Sequence, residues 1–255
     1  MLIRQLFDQE SCTFTYLLID EPTRQAALID PVREQLERDL TLIHELNAEL
    51  RYVLETHVHA DHVTSAGALA QRTGAVTCAS ELGAACAERH LRDEDTLVLG
   101  TTVIRTLATP GHTSDSLSFH VRDHLFTGDA LFVRGTGRTD LQNGDPLSLY
   151  ESITNKLFAL PDETLVWPGH DYRGHALSSV GEERRYNPRV AGKSREEFAA
   201  IMRELKLAPP KMLLVAVPAN LGCGRDAVAN EGWSKLGPAD RDWALLAANS
   251  RTPQR

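Results

Sequence analysis

The sequence predicts an α/β protein with one main domain. Apolar runs with the length of strands alternate with stretches in which apolar residues recur at helical spacing. Four of the apolar runs end at a histidine or aspartate that lies beside glycine or another small residue. Because no linker rich in glycine, serine and proline divides the chain before about residue 185, we predict a catalytic domain over residues 1–185. Residues 186–255 are expected to form a helix and an arm that pack on this domain.

The composition restricts the classes of function. The chain has 255 residues, of which 42% are hydrophobic and 24% charged, with a net charge of -8. This acidic balance argues against a nucleic-acid partner, and no apolar run approaches the roughly 18 residues needed to span a membrane. The N-terminal residues show no targeting pattern, so a cytoplasmic location of the bacterial type is expected.

Cysteine usage favours a reducing compartment over a disulfide framework. The four cysteines, Cys12, Cys78, Cys86 and Cys223, are widely scattered and form no CxxC pair. We therefore expect free thiols, with Cys223 either buried or reactive near a pocket.

The elements follow from local patterns in chain order. Residues 13–20 and 25–30 are β-rich runs separated by a turn, and residues 32–48 place leucines at helical intervals before a strand at residues 52–54. The same criteria predict, in order, a helix from residue 64 or 65 to 73, a strand at 75–78, a helix at 80–89, strand pairs at 96–100 with 102–107 and 117–121 with 124–126, a helix at 146–160, a strand at 164–167 and a helix at 193–207.

The loop after the strand at residues 52–54 contains His57, His59, Asp61 and His62. Side chains at these spacings cannot all face one way on a helix or strand, but a loop can wrap them around a cation. Later strand ends add three candidate ligands, His112, Asp129 and His170. Histidine and carboxylate without cysteine suit Zn, Fe, Mn or Ni. These residues could bind either one cation or two. A single Fe(II) would keep coordination positions free for substrate and O2, whereas two bridged metals would activate water.

The segments THVHADH, PGHT, TGDALF and PGHDY resemble the metallo-β-lactamase superfamily. This resemblance implies an αββα sandwich with its metal site at one edge of the two sheets. Within the superfamily, segments such as ETHVHADHVTSAG, GTGRTD, PGHDYRG, NPR and VPAN resemble the persulfide dioxygenases, the ETHE-type sulfur dioxygenases.

The closer resemblance implies one Fe(II) per chain, held by His57, His112 and Asp129. Four other residues would then either orient these ligands or bind a second metal. They are His59, Asp61, His62 and His170. Arg138 is the first choice for a glutathione carboxylate and Tyr172 for a hydrogen bond near the reacting sulfur. No catalytic residue is expected beyond the metal site.

The implied reaction oxidises glutathione persulfide with O2 and water to sulfite and glutathione, as in sulfide detoxification. A homodimer and a separate rhodanese-type sulfur donor are compatible with the resemblance. The alternative is a thioester hydrolase like glyoxalase II with two metals, although its glycines follow HxHxDH directly, whereas Val63, Thr64 and Ser65 intervene here. A metal-binding regulator without activity is a third reading.

Overall fold

Two six-stranded sheets lie face to face in the protein, whose structure is a computed structural model describing residues 1–225. In each sheet the strands lie side by side in chain order. The first sheet contains β1 (Leu2–Phe7), β2 (Phe14–Ile19), β3 (Gln25–Ile29), β4 (Glu49–Leu54), β5 (Val76–Ser80) and β6 (Arg89–Leu91). The second contains β7 (Thr96–Leu99), β8 (Thr102–Ala108), β9 (Leu117–Val121), β10 (His124–Gly128), β11 (Leu165–Pro168) and β12 (Ser178–Ser179).

Helices cover the outer face of both sheets. A 3-10 turn at Arg33–Gln35 leads into the first helix, and a π-helix at Ser152–Leu157 continues the third. The α-helices are α1 (Leu36–Glu45), α2 (Ala66–Thr73), α3 (Pro146–Glu151), α4 (Val180–Tyr186), α5 (Arg195–Glu204) and α6 (Leu213–Leu221). Helices α1 and α2 pack on the first sheet, while α3 and α5 pack on the second. The predicted αββα sandwich is therefore confirmed.

Side chains that point alternately to the two faces of each strand explain the layers of the sandwich. On β2, Tyr16 and Leu18 point into the core between the sheets, whereas Leu17 and Ile19 point toward α1 and α2. The whole strand is buried because both of its faces are covered. None of the helices in residues 1–225 is long and apolar enough to cross a lipid bilayer.

Two predictions about the middle of the chain are wrong. Residues 81–88 form turns instead of a helix. Ala84 and Ala87 pack against Ala79, and the backbone forms hydrogen bonds between residues three apart. Cys86 and Cys223, predicted to be free thiols, form a disulfide with Cα atoms 5.9 Å apart. A separation of 137 residues gives no local signal of that pairing.

The C-terminal region is described in part. Helix α5 packs on α3 through Phe198 and Met202, as part of the same hydrophobic cluster as the second sheet. The sequence patterns did not predict α6. The predicted surface arm falls largely on residues 226–255, outside the described residues, and the division at residue 185 stays a prediction.

Asp39 on α1 is a buried carboxyl that is only partly compensated by its partner. It has no exposed surface, and its Oδ2 atom has no hydrogen-bond partner. Its Oδ1 atom accepts a hydrogen bond from Arg38 at 2.8 Å. Burial outweighs this pairing and raises the pKa of Asp39 to about 6.

We predict that Asp39→Asn stabilises the protein at neutral pH but not at low pH. A carboxyl with a raised folded pKa favours folding while protonated, so wild-type stability should fall as pH rises from about 4 through about 6. Asparagine does not ionise, and the free energies of unfolding of the two proteins should differ by about 3 kcal/mol above that range. Urea unfolding at about pH 4 and about pH 7.5 measures this difference. Equal differences at both pH values would contradict the prediction.

Candidate metal centre

The ends of three strands bring together a compact set of candidate metal ligands. His57 follows β4, His112 follows β8 and Asp129 follows β10. One ligand atom from each lies within 4.8 Å of the others, and all three side chains are buried. His112 Nε2 is 3.5 Å from Asp129 Oδ2. The structure thus places together the three residues expected to bind metal.

Hydrogen bonds on the far side of each ring fix its orientation. His57 Nδ1 lies 3.0 Å from Thr56 Oγ1, and the Thr56 hydroxyl donates to Asp30 Oδ2 at 2.7 Å. His112 Nδ1 lies 2.8 Å from the carbonyl oxygen of Arg138. Since each Nδ1 faces an acceptor, it carries the proton and leaves Nε2 free to bind a cation. The rings therefore fit a divalent metal.

The charge states of the ligands also suit a cation. Burial lowers the pKa of His57 well below its usual range, so its ring is neutral. Burial by itself would raise the pKa of Asp129, but His170 and His112 reverse this and hold the pKa well below its usual range. A neutral imidazole and an ionised carboxylate are the forms that bind metal.

Asp61, His62 and His170 form a second cluster around Thr13. Asp61 Oδ2 lies 2.9 Å from His62 Nδ1 and 3.0 Å from His170 Nε2, and it accepts the Thr13 hydroxyl at 3.0 Å. The other ring nitrogen of His170, Nδ1, contacts Asp129 Oδ1 at 2.7 Å. His170 therefore connects this cluster to the metal ligand Asp129.

His59 is directed toward carboxylates beneath the ligand loop. Its Nε2 lies 3.1 Å from Asp30 Oδ1 and 3.3 Å from Glu55 Oε2, all of them buried. Burial favours the neutral ring, yet the two carboxylates raise the pKa of His59 well above its usual value. His59 can share a ligand group with Asp61 and His62, or with Asp30 and Glu55. It does not join the His57, His112 and Asp129 group.

A cavity of about 460 Å³ opens onto two of the candidate metal ligands, His112 and Asp129. Tyr172 stacks on His170 at a centroid distance of 5.8 Å, with 68% of its surface exposed. Arg138 binds Asp140 through two contacts, at 2.6 and 2.7 Å. The lining includes Asp61, His112, Asp129, Phe132, Arg138, His170, Tyr172, Arg173, Arg189 and Leu207. Both residues predicted to bind substrate therefore lie on this cavity.

Sequence reasoning missed several residues of the site. Arg189 and Arg173 line the cavity, and Thr13 and Thr56 orient the histidines. The segments NPR and PGHDYRG contained the arginines but were read for resemblance alone. No spacing rule reveals the threonines, because Thr13 contacts Asp61 from another part of the chain, and Thr56, although next to His57, depends on the distant Asp30.

Residues 13–85 and 87–170 match the Metallo-beta-lactamase superfamily. Human persulfide dioxygenase ETHE1, mitochondrial, is 47% identical over 227 residues, which cover 88% of this chain and 89% of the human one. The chain belongs to the persulfide dioxygenase family of this superfamily. The crystal structure of ETHE1 from Myxococcus xanthus is 58% identical, with a TM-score of 0.87, over 88% of this chain and 100% of that one. The predicted family, fold and class of enzyme are thereby confirmed.

A more distant structure shows what else the superfamily can hold. A protein solved in a di-iron-bound form is 26% identical, with a TM-score of 0.62, over 72% of this chain and 98% of that one. The fold therefore accommodates two metal ions in at least one protein, and the residues present in each chain determine the number.

We predict that Thr56→Val weakens metal binding about 10- to 100-fold, the usual cost of losing a group that orients a metal ligand. Valine has a similar shape but cannot accept the His57 Nδ1 proton or donate to Asp30. Competition with a chelator measures the affinity. The control is Thr106→Val, since the Thr106 hydroxyl is buried on β8 without a hydrogen-bond partner. Equal affinities in both variants would contradict this role for Thr56.

Proposed function

We propose that this protein is an Fe(II)-dependent persulfide dioxygenase that oxidises glutathione persulfide. One persulfide, one O2 and one water yield glutathione and sulfite, so the outer sulfur loses four electrons to O2. The observation that carries this proposal is the buried group of two histidines and one carboxylate, His57, His112 and Asp129, on an open cavity. Similarity to human persulfide dioxygenase supports the choice of substrate class.

The ligand set is typical of a catalytic iron site and not of a structural metal site, in which protein ligands fill every coordination position. Three protein ligands leave coordination positions free, which is the arrangement of non-haem Fe(II) oxygenases. Fe(II), when bound there, supplies the redox chemistry that couples the persulfide to O2.

Hydrogen bonding around Asp61 supports a single metal. Its Oδ2 atom is shared by Thr13, His62 and His170, so a second cation would have to displace these contacts. Asp129 and Asp61 together raise the pKa of His170 well above its usual value, despite an opposing effect of burial. A protonated His170 between Asp129 and Asp61 would balance their charge without a second cation.

The cavity offers cationic groups for the glutathione carboxylates. Arg189 donates to the Thr136 carbonyl at 2.7 Å and forms no salt bridge with a described acidic residue. Burial, with Arg173 nearby, lowers the pKa of Arg189, so an incoming anion is favoured there. Arg138 stays a proposed contact, but its guanidinium already binds Asp140. We therefore assign the main carboxylate contacts to Arg189 and Arg173.

Other lining residues would orient the reacting end of the substrate. His170 holds Asp129 in place, and Phe132 packs edge-on to the His170 ring at 6.0 Å. Tyr172 stacks on the face of that ring, and we propose that its hydroxyl donates to the persulfide. Asp61 and Thr13 can accept or pass protons between His170 and the cavity water.

We predict that the anaerobically iron-loaded protein consumes O2 when glutathione persulfide is added, with about one iron per chain. His112→Ala should lower both iron content and O2 uptake by more than about a hundredfold. Losing a residue that only hydrogen-bonds to a metal ligand already lowers metal affinity or activity about 10- to 100-fold, and His112 is a proposed ligand itself. Metal analysis and an oxygen electrode on the same sample measure both quantities. Uptake that survives in the variant at full rate would place the chemistry elsewhere.

We predict that Arg189→Gln raises KM for glutathione persulfide about 10- to 100-fold with little change in kcat. A charge-assisted hydrogen bond contributes about 1.5–3 kcal/mol and would act equally on bound substrate and transition state. The matched control is Arg185→Gln, because Arg185 pairs with Asp162 on the surface outside the cavity. An unchanged KM for Arg189→Gln would show that the carboxylates bind elsewhere.

One observation favours a second candidate function, a dinuclear thioester hydrolase. His59, Asp61 and His62 present ligand atoms within 4.8 Å of one another beside the first group. Two zinc ions per chain with hydrolysis of S-lactoylglutathione and no O2 uptake would establish it.

A cytoplasmic location, a homodimer and a separate rhodanese-type sulfur donor stay predictions. The human relative is named as mitochondrial.

A further inference from the structure

Helix α6 holds the metal-ligand loop through the side chain of Asn220. Its Nδ2 donates to the carbonyl oxygens of His59 and His62, both at 2.9 Å, and its Oδ1 accepts from the backbone N–H of Thr64 at 2.8 Å. Asn220 is buried, so no water can replace these partners readily. One side chain thus fixes three backbone groups of the loop between His57 and α2.

Apolar contacts between α6 and the loop involve both small and larger side chains. Val217 packs on Val58 and Ala60 beside two leucines of α6, while Val63 packs on two alanines of α6. A helix of nine residues is not stable by itself in water, so it depends on what attaches it to the domain.

The Cys86–Cys223 disulfide supplies such an attachment. Cys223 lies two residues after the end of α6, and Cys86 lies in the turns between β5 and β6. The carbonyl oxygen of Cys223 also accepts a hydrogen bond from Gly67 on α2 at 2.9 Å. Cys86 is partly exposed, whereas Cys223 is buried.

We propose that Asn220 is a positioning residue for the metal-ligand loop, and that the Cys86–Cys223 disulfide determines how firmly α6 keeps it in place. Reduction of the disulfide releases the end of α6 and weakens the three hydrogen bonds to the loop. The thiol redox state then governs how well the loop is ordered for metal. This inference uses the metal centre of the proposed function but none of its substrate chemistry.

The redox step needs two equivalents of a low-molecular-weight thiol. One thiolate attacks the accessible sulfur of Cys86, breaks the protein S–S bond and releases Cys223 as a thiolate. A second thiolate attacks the mixed disulfide on Cys86 and leaves as a low-molecular-weight disulfide. The protein gains two electrons and two protons. If the proposed reaction is correct, its product glutathione belongs to this class of reductant.

Hydrogen exchange of the metal-free, full-length protein tests the proposal directly. Reduction with excess dithiothreitol should speed exchange in residues 57–64 about tenfold, and reoxidation should restore protection. Strand β8 provides a reference whose protection should not change. Equal exchange in the two states would overturn the proposal, as would four free thiols in the oxidised protein.

Three variants separate the two parts of the proposal. Asn220→Asp keeps the acceptor and the size but loses both N–H donors, so exchange at residues 57–64 should be fast in both redox states. Cys86→Ser should resemble the reduced wild type under oxidising conditions. The matched control is Cys12→Ser, which removes a free thiol and should keep the redox effect. If Cys86→Ser does not fold, reduction of the wild type still decides the result.

A metal probe tests positioning separately from redox state. Zn(II) should leave Asn220→Asp for EDTA about tenfold faster than it leaves oxidised wild type, while the far-ultraviolet circular dichroism of the two proteins stays the same. Equal rates of zinc loss would overturn the role of Asn220. Neither measurement uses persulfide or O2, so failure here and failure of the proposed function are distinguishable.

Discussion

The metal centre depends on the balance of charge around Asp129. An ionised carboxylate at a buried position is costly unless positive or hydrogen-bonding groups surround it. His170 contacts one oxygen at 2.7 Å and His112 approaches the other at 3.5 Å, so the carboxylate stays ionised despite burial. A divalent cation placed among the same groups satisfies the same requirement. The arrangement that tolerates an ionised Asp129 therefore also suits a metal ion.

The parts of the site that could be predicted from sequence are those carried by strand ends. His57, His112 and Asp129 each follow an apolar run closely, and the two sheets bring the ends of β4, β8 and β10 together. Local pattern was enough to place these residues at strand ends among seven candidate ligands. The resemblance to the persulfide dioxygenases, and not the pattern, selected these three as one set.

The parts that could not be predicted depend on contacts between distant segments. The alanines near Cys86 suggested a helix, but their small side chains pack in turns beside β5. The disulfide to Cys223 joins residues 137 positions apart. Arg138 was favoured for its place near Asp129, yet Asp140 two residues later occupies its guanidinium. A neighbour in sequence can thus neutralise a candidate ligand-binding residue, and only the folded chain reveals it.

The supports of the ligand loop come from almost the whole described chain. Thr13 on the N-terminal side contacts Asp61, Asp30 after β3 accepts from Thr56, and Asn220 on α6 binds the loop carbonyls. Each support is buried, so losing one leaves a polar group unpaired instead of exposing it to water. Folding therefore orders the ligands before metal arrives, and binding does not have to supply that ordering. We therefore expect metal affinity in this protein to depend on contacts from distant segments of the chain, including those of α6.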